Sequence, residues 1–345
     1  MSKVLITGAA GFIGSKLAYK LYKEGEEVIL FDNFSYGNEC NLFFDDMDFR
    51  DKILKKDIRD VDYLRTLFEK EKFDIVYHLA GITPLPDCQN NPIEAVDINV
   101  RGTVILLELS RVYGIKKFIF TSTSAVYENN SDFPSVENVV AKPSLMYPST
   151  KYAAEQFLKS YNDSYNIPIA IFRFANVYGP HMDCLRLQPP VVAYIIRELF
   201  YDREPVLHSN GNQERDFIYV DDLVELAWLV EKSNKNFDII NVSSGKTISI
   251  NEITELIKKE MGKTNINTKY VNTDHYWYNY KELYDGVYPI NMKLLEREVT
   301  KYTCLSNDHA FNEYGFRPHI DIKEGIKRTV AYTVDLLRRK DRYER

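Results

Sequence analysis

Tyr147 and Lys151, in the unit Tyr147-Pro-Ser-Thr-Lys151, can pass a proton to and from a hydroxyl group. Four residues apart, they share one face of a helix. Pro148 suits the first turn of such a helix, where its missing N–H is no loss. A free phenol holds its proton to about pH 10, too high for a base at neutral pH. A neighbouring ammonium favours the phenolate and draws that value toward the working range. Upstream, Thr121-Ser-Thr-Ser124 closes the apolar run Phe118-Ile-Phe120. A hydroxyl there can donate to the reacting oxygen and orient it against Tyr147, and Thr123 is the residue expected to do so. The remaining Ser and Thr read as turn formers.

The partner for this chemistry is signalled at the other end of the chain. A buried strand, Val4 to Thr7, runs into Gly8-Ala-Ala-Gly11-Phe12-Ile13-Gly14 and then into an apolar-periodic helix with Leu17 and Leu21. Backbone N–H groups in such a turn can approach a pyrophosphate, and the helix N-terminus adds partial positive charge. The spacing is G-x-x-G-x-x-G rather than G-x-G-x-x-G. A second strand, Val28-Ile-Leu-Phe31, ends at Asp32, where a carboxylate can accept from adenosine ribose hydroxyls. No Arg or Lys stands beside Asp32 in the sequence to hold a 2′-phosphate, so NAD is expected rather than NADP. Its oxidised nicotinamide adds a second positive charge beside Tyr147, and Lys151 can bond the nicotinamide ribose. Asn99 sits mid-helix against its propensity. It either makes a local hydrogen bond near the site or is a surface residue.

The elements that position these residues alternate between strand and helix. Strands are expected at 3–7, 27–31, 53–56, 75–79, 117–121 and 169–174, and helices at 12–24, 61–71, 93–113 and 148–165. That alternation predicts an α/β fold, a doubly wound parallel sheet of Rossmann type with helices on both faces. The run 216–220 with helix 221–233 reads as a return to this sheet, and 237–242 as a further strand. The rest is expected to form a smaller α/β lobe for the substrate. The expected division is 1–178 plus 214–245 for the NAD-binding domain and 179–213 plus 246–345 for the lobe. Ile98, Ile105, Leu106 and Leu109 on one helix, and Tyr152, Phe157 and Tyr161 on another, can cover the sheet or form a dimer seam.

At 345 residues, 45% hydrophobic and 27% charged, the chain has ordinary globular make-up. A net charge of −6 leaves no footprint for nucleic acid. The basic tail at 338–345 reads as a solvated helix end. Cys40, Cys88, Cys184 and Cys304 are scattered with no C-x-x-C pair. That argues against a metal site and a disulfide framework, and fits a reducing cytoplasm. No apolar run approaches ~18 residues, so no membrane span is expected. The chain opens directly on a core strand, so no signal peptide is expected.

Taken in order, these motifs resemble those of an extended short-chain dehydrogenase/reductase of the NAD-dependent nucleotide-sugar epimerase/dehydratase family. The resemblance is carried by Thr7-Gly8-Ala-Ala-Gly11-Phe-Ile-Gly14, Asp32-Asn33, Asp57-Ile58 and His78-Leu-Ala-Gly81. It continues through Asn99-Val-Arg-Gly-Thr103, Thr121-Ser-Thr123, Tyr147-x-x-x-Lys151, Arg173-Phe-Ala-Asn176-Val-Tyr-Gly-Pro180 and Arg215-Asp-Phe-Ile-Tyr-Val-Asp-Asp222. It implies cofactor contacts from Gly8, Gly11, Phe12, Ile13, Gly14, Asp32, Asn33, Asn99 and Lys151. Asp57 and Ile58 would flank the adenine, and Leu79, Ala80 and Gly81 would line the cofactor. Thr123, Tyr147 and Lys151 would be catalytic. Thr123, Tyr147, Asn176 and Arg215 would contact a nucleotide-diphosphate sugar, guanidinium suiting the phosphates. A homodimer built on helices 93–113 and 148–165 is also implied.

Departures from the family pattern narrow the expected reaction. The 4,6-dehydratases of this family carry Asp-Glu directly after the catalytic threonine, and its decarboxylases usually keep Glu at the second position. Here those positions are Ser124-Ala125, as in UDP-glucose 4-epimerase-type members. A 4-epimerase working through a 4-keto sugar with hydride return is therefore expected. The alternatives are a C4 dehydrogenase/ketoreductase or a decarboxylase of the family, and more remotely a catalytically silent NAD-sensing protein. Two segments are unusual. Ile82-Thr-Pro-Leu-Pro-Asp-Cys88 is expected to line the substrate. Tyr276-Trp-Tyr-Asn-Tyr280, through Pro289-Ile-Asn291, stands where the family usually supplies a second phosphate-binding arginine, with only Lys293 and Arg297 nearby. The aromatic cluster can stack on a base or pack into the protein.

Overall fold

The computed structural model describes residues 1–273 and 276–343. In chain order its principal strands are β1 (Lys3–Thr7), β2 (Glu27–Asp32), β3 (Ile53–Lys55), β4 (Ile75–His78) and β5 (Lys117–Thr123). They continue with β6 (Ile169–Phe174), β7 (Asn176–Tyr178), β8 (Glu214–Tyr219), β9 (Phe237–Val242) and β10 (Thr247–Ser249). Seven form one parallel sheet in the order β9-β6-β5-β4-β1-β2-β3. The chain runs outward from β1 to β3, then crosses to β4 on the other side of β1. Ligands of open α/β sheets bind at the carboxyl ends of the strands where the order reverses this way.

Successive strand residues point to opposite faces, so the buried sheet needs cover on both. Leu5, Val76, Phe118 and Phe120 face a core shared with α2 (Val61–Glu71), α3 (Gly102–Tyr113) and α4 (Met146–Tyr165). Val4, Ile6, Tyr77 and Ile119 face the opposite core, closed by α1 (Phe12–Lys23) and a later helix, Val220–Glu231. This is the doubly wound, Rossmann-like arrangement. A further core joins Tyr178, Ile195 and Ile196 to Ile253, Ile257 and Ile326 beside this domain.

Two expectations about elements are corrected. The run near 216–220 does not return to the large sheet. As β8 it pairs parallel with β7 and antiparallel with β10 in a separate three-stranded sheet. Its Ile218 faces the core of the large sheet, whereas Phe217 and Tyr219 face the lobe. A strand buried on both faces has no alternation to reveal which sheet it joins. Only the helix after it and β9 rejoin the large sheet.

The second correction concerns helix 93–113, which is not continuous. An α-turn (Pro92–Val96) passes through a π-helical segment (Asp97–Arg101) into α3. At the junction a Cβ on Gly102 would lie 2.5 Å from Ile58 Cδ1, so a larger residue there would have to displace the Ile58 side chain. The last helix runs Ile322–Tyr343, and residues 344–345 of the basic tail lie outside the described residues. No helix among the described residues is long and apolar enough to cross a membrane. All four cysteines are free.

Candidate active site

The glycine turn after β1 is tight because its backbone folds over itself. Gly8 has φ +73°, and a Cβ there would sit 2.7 Å from the Ala80 nitrogen. A Cβ on Gly14 would lie 2.1 Å from the Gly8 carbonyl oxygen. With these positions bare, an elongated cleft of about 480 Å³ opens along Gly8, Gly11, Phe12, Ile13 and Gly14. It continues past Leu79, Ala80 and Gly81 to Lys151. Bare backbone at a helix N-terminus fits the pyrophosphate of a dinucleotide.

At the far end of this cleft Asp32 is 8% exposed. It accepts from the Ala10 nitrogen at 2.9 Å and the Phe34 nitrogen at 2.7 Å. Burial raises its carboxyl above the usual range, and the amide donors oppose that rise. Asn33 donates to Asp57 at 2.9 Å, and Ile58 lies beside them in the wall. The Arg59 guanidinium, bonded to both Asp57 oxygens at 2.8–2.9 Å, holds that carboxyl down to about 2. One expectation fails here: basic residues do stand near Asp32. Its Cα is paired with that of Lys55 across β2 and β3, and Lys56 lines the cleft. Strand pairing brings together what the sequence separates. Lys55 Nζ is occupied by Glu39, however, and Lys56 Nζ lies 4.9 Å over the Tyr63 ring.

Thr123 ends β5, and Tyr147 and Lys151 occupy the first turns of α4. Lys151 is 2% exposed with Nζ 4.7 Å from the Phe120 ring centroid, and burial draws its pKa down to about 8. The expected lowering of the Tyr147 pKa by Lys151 is absent. Burial pushes the phenol above its ordinary value, and only its hydrogen bond with Thr123 works the other way. In this site the charge needed to favour phenolate therefore has to come chiefly from an oxidised nicotinamide.

Asn99 is no surface residue. It is 1% exposed within the π segment. Its Oδ1 accepts from the Ile82 nitrogen at 2.8 Å, while Nδ2 donates to the Ile82 carbonyl at 2.9 Å and to Thr150 Oγ1 at 3.0 Å. It clamps the Gly81-Ile82 backbone to α4 from behind and is not among the residues lining the cleft. Single-turn π segments recur at functional sites for this kind of re-aiming.

Behind α4 lies a buried cluster that the sequence reading missed. Arg173 bonds Glu155 through Nε at 3.1 Å and Nη2 at 2.6 Å, and Ser122 Oγ donates to Glu155 at 2.5 Å. Glu155 is four residues beyond Lys151, on the same helix face. That spacing was the available signal. The cluster ties α4 to β5 and β6.

The cleft meets a second cavity of about 920 Å³ at Thr123 and Tyr147, which line both. Asn176 and Arg215 line this larger space, as expected. Asn176 donates to the Asp216 carbonyl at 2.9 Å. Arg215 is 8% exposed and donates to the Val299 carbonyl at 2.9 Å. Neither Lys293 nor Arg297 lines the cavity, and Arg297 instead donates to Ser144 at 3.3 Å. Arg186 and Lys301 add positive charge in their place. Arg186, unrecognised in sequence, lies in an irregular segment where no periodicity marks direction. Of the aromatic cluster, Trp277 is fully buried and Tyr276 lines the cavity, with ring centroids 5.8 Å apart. Thr83, Pro84, Leu85 and Pro86 form part of the wall near Tyr147.

A family model described as the NAD dependent epimerase/dehydratase family matches residues 4–243. A Methanocaldococcus jannaschii protein bearing the provisional name UDP-glucose 4-epimerase is 35% identical over 333 residues, spanning 95% of this chain and 97% of that one. The dTDP-D-glucose 4,6-dehydratase of Homo sapiens is 30% identical across 96% of this chain and 89% of that protein. Among solved structures, the UDP-glucose 4-epimerase of Thermotoga maritima with UDP-glucose superimposes with a TM-score of 0.85. It is 28% identical, with 97% of this chain and 99% of that one covered. With a dinucleotide cradle, an Asp at its ribose end and a Tyr/Lys pair at its mouth, the chain belongs to the NAD-dependent epimerase/dehydratase family of extended short-chain dehydrogenases/reductases and uses NAD as its cofactor.

Proposed function

We propose that this protein is a nucleotide-sugar 4-epimerase acting on a UDP-sugar. The observation that carries the reading is the wall around Thr123 and Tyr147. Ser124 and Ala125 stand there without a carboxylate, and among the described residues the one acidic side chain lining the substrate cavity, Glu298, is paired with Lys301 at 2.6 Å. Dehydration across C5–C6 needs an acid and a base beyond the tyrosine, whereas epimerisation needs the tyrosine alone. The UDP-glucose 4-epimerase neighbours support the nucleotide and the outcome.

Bound NAD supplies a store for one hydride. Tyr147, as phenolate, takes the proton of the sugar C4 hydroxyl and later returns it to the same oxygen. Thr123 hydrogen-bonds that oxygen and fixes its height against the phenol. Lys151, buried in the wall of the cofactor cleft, would bond the nicotinamide ribose and hold the ring beside Tyr147. Arg215, Arg186 and Lys301 hold the diphosphate while the 4-keto sugar turns over beneath it. We further infer a cytoplasmic setting, and a homodimer through α3 and α4, which leave Val112, Phe157 and Tyr165 exposed.

Incubation with UDP-, GDP-, CDP- and dTDP-sugars, read by NMR, tests this. The expected result is C4 inversion of a UDP-sugar, with deuterium placed at C4 retained in product. A 4-keto-6-deoxy product, loss of the label to solvent or stoichiometric free NADH would each reject the reading.

A further inference from the structure

The segment at 82–88 holds a carboxylate that the reaction does not use. Asp87 lies on a short helix (Leu85–Asn90) pinned to the catalytic helix. Gln89 accepts from the Met146 nitrogen at 3.2 Å, and Ile82, Cys88 and Ala95 pack on Met146 and Tyr147. Asp87 is thereby fixed relative to the catalytic tyrosine.

Each of its oxygens receives a phenol from a different side. Tyr36 Oη donates to Oδ2 at 2.7 Å, and Tyr280 Oη donates to Oδ1 at 2.5 Å. Tyr36 belongs to the turn after β2 and itself lines the cofactor cleft with Asn33, Ser35 and Gly37. Tyr280 comes from the C-terminal part of the chain and packs with Leu85 beside Trp277. Its neighbours Tyr276, Tyr278 and Asn279 line the substrate cavity. Burial first, and the carboxylate second, push both phenols above their ordinary value, so both remain donors throughout the neutral range.

We infer that Asp87 is a latch that clasps the cofactor-side turn and the substrate-side aromatic segment to one point on the catalytic helix, coupling NAD retention to closure of the substrate cavity. Opening either end frees the outer wall of one cavity and loosens the other through the shared carboxylate. Hydrogen bonds to a charged acceptor outlast neutral ones in competition with water, which suits a half-exposed clasp. The inference goes beyond the sugar reading and rests on the NAD assignment alone, so the two fail separately.

The test loads the enzyme with NADH, dilutes it into excess NAD and follows the loss of bound NADH fluorescence. Tyr36→Phe, Tyr280→Phe and the double variant keep their rings, and thermal midpoints check folding. Each single change is expected to speed release by about 13-fold, the low end for a bond to a charged group. The double variant is expected to release no faster than the faster single, because the two phenols act in series. Wild-type release from Tyr280→Phe, which lies outside the cofactor cleft, overturns the latch. So does a double variant equal to the product of the singles, or a lowered midpoint with unchanged release.

Discussion

Replacing Asn99 by Ala separates two accounts by the sign of the effect. If Asn99 were an ordinary solvent-facing helix residue, Ala would raise helix propensity and stabilise by about 0.5 kcal/mol. As a buried clamp it instead satisfies both the N–H and the C=O of Ile82. Its loss leaves two backbone groups without those partners, at about 1–3 kcal/mol each. Thr150 keeps its bond to the Tyr147 carbonyl at 2.8 Å and adds little to the cost. After the propensity gain is subtracted, a net loss of about 1.5–5.5 kcal/mol remains. At a urea slope of about 3 kcal/mol/M, the unfolding midpoint falls by roughly 0.5–2 M. Asn99→Asp serves as a second variant, since it keeps the acceptor for Ile82 N–H and loses both donations. Unfolding followed by circular dichroism at fixed NAD is the assay, because ligand alone shifts the midpoint. A midpoint for Asn99→Ala at or above wild type would refute the clamp.

Tyr147→Phe keeps the ring and removes the phenolic oxygen, so fold and NAD binding are expected to survive while turnover falls ~10²–10⁴-fold. Unchanged turnover in a steady-state assay would reject the catalytic assignment. Lys151, drawn down to about 8, is an ammonium below that pH and loses its charge above it, so kcat/KM is expected to fall as pH rises through about 8. Lys151→Met should abolish that limb, and a limb that persists in the variant belongs to another group. Light scattering at micromolar concentration is expected to report a dimer mass, and a monomer there would exclude the α3/α4 seam.

Much of the chemistry was legible because it is local. The glycine turn, Asp32 and the Tyr147/Lys151 pair each depend on spacing within a few residues or on strand ends, and periodicity reveals both. The seven strands of the large sheet were likewise readable from their apolar runs, although not β8. That strand is buried on both faces, so its residues carry no alternation to assign it to a sheet. The π turn at 97–101 was hidden for a related reason, since helical periodicity persists through it on both sides.

The physical division is one of range. Backbone propensity and short spacings act along the chain, and from them the sequence alone determined the fold class and the cofactor and singled out the Tyr147/Lys151 pair. Tertiary structure decided which distant side chains meet: Lys55 beside Asp32, Asn99 on the Ile82 backbone, and Arg173 on Glu155. It also decided that Arg186 and Lys301, rather than Lys293 and Arg297, face the larger cavity beside Tyr147. Burial too is collective. The same Lys151 that reads as an ordinary ammonium in sequence has a lowered pKa only because Phe120 and its neighbours exclude water, and no local pattern encodes that exclusion.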